Sequence, residues 1–74
     1  MQCNKTTDVF KTRIRELRLA RNYRLQDVAN ALNVTIRAIS NYEQGIRQPS
    51  FEQLVSLCDF FDVSADYLLG RIEY

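Results

Sequence analysis

Thr35, Ile36, Arg37, Ser40 and Asn41 lie within one short stretch and carry the side-chain types that read the edges of nucleic-acid bases. A guanidinium fork bonds O6 and N7 of guanine together, a carboxamide pairs with adenine, hydroxyls serve several edges, and an apolar branch meets the thymine methyl. Arg37 is the first choice, because such a bidentate contact contributes about 1–3 kcal/mol of discrimination between bases. Asn41 stands one helical turn further on, and Ile36 supplies an outward methyl surface. The bland alternatives are a solvated arginine on a helix face and an isolated surface isoleucine.

A second set would hold a polyanion without reading it. Arg24, Gln26, Gln44, Arg47 and Gln48 flank the first set, and free backbone N–H groups at helix starts add to them. Ile46 is expected to anchor its loop rather than to touch nucleic acid. Catalysis finds no comparable support, since the chain has no histidine, no glycine-rich phosphate loop and no cysteine with a suitable base. Cys3 falls in a polar segment and Cys58 in an apolar helical pattern, and two cysteines cannot form a cysteine-only zinc site. Both are expected as free thiols, with no metal, cofactor or small-molecule ligand.

The formal net charge of +1 hides a gradient. Residues 1–24 carry Lys5, Lys11, Arg13, Arg15, Arg18, Arg21 and Arg24 against Asp8 and Glu16, a balance of +5. Residues 25–50 cancel, and residues 51–74 set Arg71 against Glu52, Asp59, Asp62, Asp66 and Glu73, a balance of −4. A basic end steers toward a polyanion, while a remote acidic end opposes reversed docking. The alternative is an ordinary solvated face. With 46% hydrophobic and 26% charged residues the chain reads as one small globular domain, and its apolar runs are too short to cross a bilayer. The first residues lack a secretory signal pattern, so a cytoplasmic location is expected.

Helices must position these side chains. Phe10, Ile14 and Leu17 fall at i, i+4 and i+7, which predicts a helix over 9–21 that stops at Asn22. Val28, Ala29 and Leu32 mark a second, shorter helix closed by Asn33. Val34 then points inward, Thr35 caps a third helix with Ile39 and Tyr42 on its inner face, and Gly45 ends it. Ser50-Phe51-Glu52-Gln53 reads as a capping box, in which Ser50 and Gln53 satisfy each other's backbone donors. The helix it starts, with Phe51, Leu54, Val55, Leu57, Cys58 and Phe61, is expected to be the buried central element. Ser64 caps a last short helix through Tyr67, Leu68 and Leu69, closed by Gly70. The expected organisation is all-α: a flexible tail over 1–8, one domain over 9–70 and a C-terminal tail over 71–74.

Residues 25–45 thus form two short helices about a tight turn, with Ala29 small enough for the crossing and Asn33 able to take positive φ. The second helix has an outer face almost free of apolar burden. If it lies in a major groove, its N-terminal outward residues are those named at the outset.

On these residues the chain resembles the phage repressor and Cro family, also called the XRE family. The matching pieces are Leu17-Arg18, Val28-Ala29, Asn33-Val34-Thr35, Ile39 through Gly45, Pro49-Ser50, Val63-Ser64 and Asp66 through Gly70. The resemblance covers most of the chain and implies a five-helix lambda repressor-like domain with a helix-turn-helix. It further implies a transcriptional regulator, expected to be a repressor and not an enzyme, that reads double-stranded DNA with the helix over 35–45. It also implies an ion pair between Arg18 and Glu43. Relatives usually carry Ser or Thr followed by Gln where this chain has Arg24 and Leu25. Leu25 cannot reach a phosphate, whereas Arg24 can, with a poorer helix cap that costs about 1 kcal/mol.

Leu69, Ile72 and Tyr74 place more apolar surface near the acidic end than a small monomer needs to expose. A two-fold homodimer on a pseudo-palindromic operator is expected, with half-sites about one DNA turn apart. The alternative is that these side chains finish the core. A competing function is a protein–protein interaction module, an adaptor or an antitoxin, on the same fold.

Overall fold

Left-handed residues divide the chain into its helices. Asn22, Asn33 and Asp62 adopt φ of 60°, 58° and 57°, and Gly45 adopts 78°. Asn and Asp tolerate this region because their short polar side chains bond locally. The computed structural model describes residues 3–72, with side chains from Thr6 onward. Between the breaks run α1 (Cys3–Ala20), α2 (Leu25–Leu32), α3 (Ile36–Gln44), α4 (Phe51–Phe61) and α5 (Ala65–Leu68), with no strand among the described residues.

Three helices begin at hydroxyls. Thr35 Oγ1 accepts from the Ala38 N–H at 3.1 Å, Ser50 Oγ from Gln53 at 3.2 Å and Ser64 Oγ from Tyr67 at 3.0 Å. α2 starts differently, because Arg24 has no acceptor to offer. Asp27 reaches back instead, and its carboxylate accepts from the Arg24 N–H at 2.8 Å and from the guanidinium at 3.2 Å. The poor cap expected at Arg24 is therefore offset from inside the helix.

α1 begins at Cys3, not near position 9, so residues 3–8 are helical. Once 9–20 have nucleated, each further residue adds a hydrogen bond at low entropic cost. Lys11 pairs with Asp8 at 3.5 Å, and Thr7 Oγ1 accepts from Gln48 Nε2 at 2.8 Å, which ties the extra turns to the loop after α3.

The core draws on every helix: Phe10 and Ile14; Val28, Ala29 and Leu32; Ile39 and Tyr42; Leu57 and Phe61; and Leu68. α3 packs on α1 and α2, while α4 packs on α2 and α5. α4 is not the buried central element expected of it. Only Leu57 and Phe61 are buried, Leu54 and Cys58 are half-buried, and Phe51 and Val55 are 88% and 59% exposed. Its neighbours bury one i, i+4 stripe and partly cover Leu54, Cys58 and Phe60, while Phe51 and Val55 stay open. Its capping box is half made, since Gln53 Oε1 is buried without a hydrogen-bond partner. Burial raises the pKa of the Cys58 thiol.

α5 ends at Leu68, and Leu69 already caps it. Gly70, at φ 81°, has no room for a side chain, because a Cβ there would stand 2.9 Å from Val9 Cγ1. Arg13 Nη1 donates to the carbonyls of Tyr67 at 2.6 Å and Ile72 at 2.9 Å, with its guanidinium 4.4 Å from the Tyr67 ring centre. The end of the described chain is thereby fastened to α1. No helix among the described residues is long and apolar enough to cross a membrane.

Candidate nucleic-acid interface

The crossing of α2 and α3 is set by backbone geometry. Asn33 takes the left-handed conformation, the Val34 N–H donates to the Ala29 carbonyl at 3.0 Å, and Ala29 is 1% exposed beneath the crossing. A larger residue at Ala29 would push the helices apart. The rear of α3 is then pinned by Ile39 and Tyr42, both buried.

Its last turn is held by charge. Arg18 Nε and Nη2 donate to the two carboxylate oxygens of Glu43 at 2.7 and 3.0 Å, and Arg18 Nη1 donates to the Tyr23 carbonyl at 3.0 Å. The side chains are only 12% and 8% exposed. The hydrogen bond that Arg18 donates to Glu43 raises the Arg18 pKa above its already high ordinary value, against the opposing effect of burial. This fork-to-fork geometry fixes the angle of α3 against the end of α1. Tyr23, whose carbonyl it uses, stacks at 5.0 Å on Phe60, so the anchor is continuous with the core.

The front of α3 is open. Thr35, Ile36 and Arg37 are exposed, Ser40 and Asn41 are half-buried, and Arg37 forms no ion pair among the described residues. The Asn41 carbonyl accepts from the N–H groups of Ile46 and Arg47 at 3.0 and 3.4 Å, which folds the following loop back along the helix. Arg37, Asn41, Arg47 and Gln48 consequently line one hollow of about 350 Å³. On the neighbouring flank Leu25, Ile36, Ser40 and Gln44 line a second hollow, where Gln44 Nε2 donates to Ser40 Oγ at 2.7 Å.

The five base-reading candidates and Gln44, Arg47 and Gln48 therefore meet on a single surface, although Gln48 is also tied to Thr7. Gln26 is exposed in the first turn of α2, next to an Arg24 side chain that is 77% exposed and paired with Asp27. Leu69 lies in a separate hollow with Phe10, Phe51 and Leu54, Ile72 is exposed, and Tyr74 falls outside the described residues.

Two features depart from the sequence reading. Ile46 does not anchor its loop, since it is 67% exposed and the backbone bonds to Asn41 do that work. Lys11 and Arg15, left unassigned by the motif, border Glu43 and Gln44 at the end of α3. Their only signal in the sequence was the basic balance of the first third.

Comparison with known proteins agrees with this geometry. A family model described as helix-turn-helix matches residues 14–68. The chain is 44% identical over 59 residues to the HTH-type transcriptional regulator AnsR of Bacillus subtilis, covering 80% of this chain and 51% of that protein. It is 38% identical over 61 residues to the HTH-type transcriptional regulator ImmR of the same organism, covering 82% and 48%. To the cryptic phage CTXphi transcriptional repressor RstR of Vibrio cholerae it is 33% identical over 65 residues, covering 88% and 59%. The chain thus spans about half the length of these two curated relatives from Bacillus subtilis. The crystal structure of a transcriptional regulator from Listeria innocua superposes with a TM-score of 0.80 at 28% identity, covering 88% of this chain and 61% of that one.

Proposed function

The chain belongs to the helix-turn-helix family, of the XRE type, and from that premise we propose that it binds double-stranded DNA sequence-specifically as a transcriptional regulator, with α3 in the major groove. One observation carries the reading: α3 is pinned from behind by Ile39, Tyr42 and the Arg18–Glu43 pair, while its front presents unpaired Arg37 beside Asn41 and Arg47. In that pose Thr35, Ile36, Arg37, Ser40 and Asn41 face base edges, and Arg24, Gln26, Gln44, Arg47 and Gln48 reach phosphates. Lys11 and Arg15 extend the basic flank toward the backbone. Occupancy of an operator represses, the activity named for the Vibrio cholerae relative. Two copies bind a pseudo-palindrome through the apolar surface that includes Leu69 and Ile72, and they act in the cytoplasm.

Selection from a random duplex library, followed by titration at several salt concentrations, tests this. A defined half-site emerges, and affinity falls steeply with salt in proportion to the phosphates contacted. Arg47→Ala weakens all sequences alike and reduces the salt slope by about one. An adaptor or antitoxin would select no sequence, and its apolar interface would hardly respond to salt.

A further inference from the structure

The reading face of α3 contains a hollow in which branched apolar side chains stand beside polar ones. Ile36 is 46% exposed on the first turn of α3. Leu25, the first residue of α2, is half-buried against the core and lines the same hollow with Ser40 and Gln44. Of its four polar side chains, two bond to each other, since Gln44 Nε2 donates to Ser40 Oγ at 2.7 Å, and Arg37 and Asn41 stand at its side toward the rest of the reading face. The apolar part of the lining is the branched side chains of Leu25 and Ile36, from two different helices, and of Ile46 in the loop after α3.

A single isoleucine at a surface needs no explanation. Branched side chains gathered in one hollow that Arg37 and Asn41 also line have a definite chemical complement if that face meets a major groove. Base edges there offer hydrogen-bond donors and acceptors and one apolar group, the methyl on pyrimidine C5. The packing of Leu25 on the core fixes its side chain in advance, so the hollow is ordered before any ligand arrives.

We propose that Leu25 and Ile36 together form a reader of the pyrimidine C5-methyl group in duplex DNA, with Leu25 a specificity-determining residue contributed from outside the recognition helix. The inference rests on the DNA-binding reading above. It has a consequence that hydrogen-bond readout lacks. The hollow senses the methyl whichever pyrimidine carries it, so 5-methylcytosine is preferred over cytosine at the same position by the same factor that separates thymine from deoxyuridine.

The test alters the DNA before the protein. In the selected duplex each thymine is replaced singly by deoxyuridine, which removes one methyl and leaves every hydrogen-bonding group in place. At one position per half-site binding falls about fourfold, the effect of leaving one methyl unburied. Placing cytosine at that position and then methylating it recovers about the same fourfold. Ile36→Ser, an exposed change that leaves the fold intact, and Leu25→Gln, checked by thermal melting, each abolish the difference between thymine and deoxyuridine while both still bind DNA. A duplex bound tightly with no thymine that responds overturns the inference and leaves the DNA reading standing. So does a response that persists unchanged in both variants. Failure to prefer any sequence overturns both.

Discussion

α3 and α4 are built alike and face the solvent in opposite ways. Each opens on a hydroxyl cap, closes on a left-handed residue and buries two large side chains one turn apart, Ile39 and Tyr42 in α3 and Leu57 and Phe61 in α4. On their open sides α3 shows Ile36 and Arg37 close to Arg47, whereas α4 shows Phe51 and Val55 among the exposed acids Glu52, Asp59 and Asp62. Amphipathic periodicity decides which face of a helix is hidden. The chemistry of the other face decides what it can approach, and a polyanion is attracted to the first helix and repelled by the second.

The comparison breaks most readily at the anchor behind α3. Arg18→Ala leaves the Glu43 carboxylate buried without its partner, a loss of about 3–5 kcal/mol. Urea denaturation should show the midpoint falling accordingly with an unchanged slope. A shift within about 0.5 kcal/mol, the range of an ordinary surface substitution, would mean that Ile39 and Tyr42 hold the helix without help.

Arg37→Ala sharpens the other side of the comparison. Its guanidinium is exposed and unpaired, so stability is retained while about 1–3 kcal/mol of discrimination at one base position disappears. Binding profiles across a random library, measured for wild type and variant, check this. Identical profiles would remove Arg37 from the reading surface.

The contrast between α3 and α4 also marks how far the sequence could be read. Asn22, Asn33 and Gly45 stop their helices through local backbone preference, and Thr35, Ser50 and Ser64 start theirs through local hydrogen bonds, so these points were legible from residue type alone. The inner face of α3 was legible because its few apolar residues leave one arrangement. α4 has seven apolar positions, more than its neighbours can cover, and periodicity does not reveal which of them lack a partner. The early start of α1 was hidden for a related reason, since Thr7 is held by Gln48, a residue far along the chain. Leu25 escaped the site reading because an apolar residue at a helix start reads as core. Only the packed structure sets it beside Ile36, at the edge of the surface that faces out.

Phe51 provides a quieter test of the same difference. Phe→Ala in a core costs about 3–5 kcal/mol, but at 88% exposure Phe51→Ala should change monomer stability by less than about 0.5 kcal/mol. A large loss in denaturant would show that Phe51 is covered in solution and that the outer face of α4 is not open.

The smallest effect concerns how the helices begin. α3 and α4 start at hydroxyls, which do not titrate in the ordinary range, whereas α2 starts at the Asp27 carboxylate. The backbone N–H of Arg24, and secondarily its guanidinium, hold the Asp27 carboxyl below the usual carboxylate range. Folding therefore favours the charged form. The resulting contribution is complete above the unfolded value of about 3.9 and is lost as pH falls through the depressed folded value. Asp27→Asn should thus melt below wild type at neutral pH, and the gap should narrow as pH falls through the depressed folded value and the carboxyl becomes neutral. The caps of α3 and α4 are common to both proteins and cancel. A gap that stayed constant with pH would show that the Asp27 charge contributes nothing, and α2 would then start by shape alone.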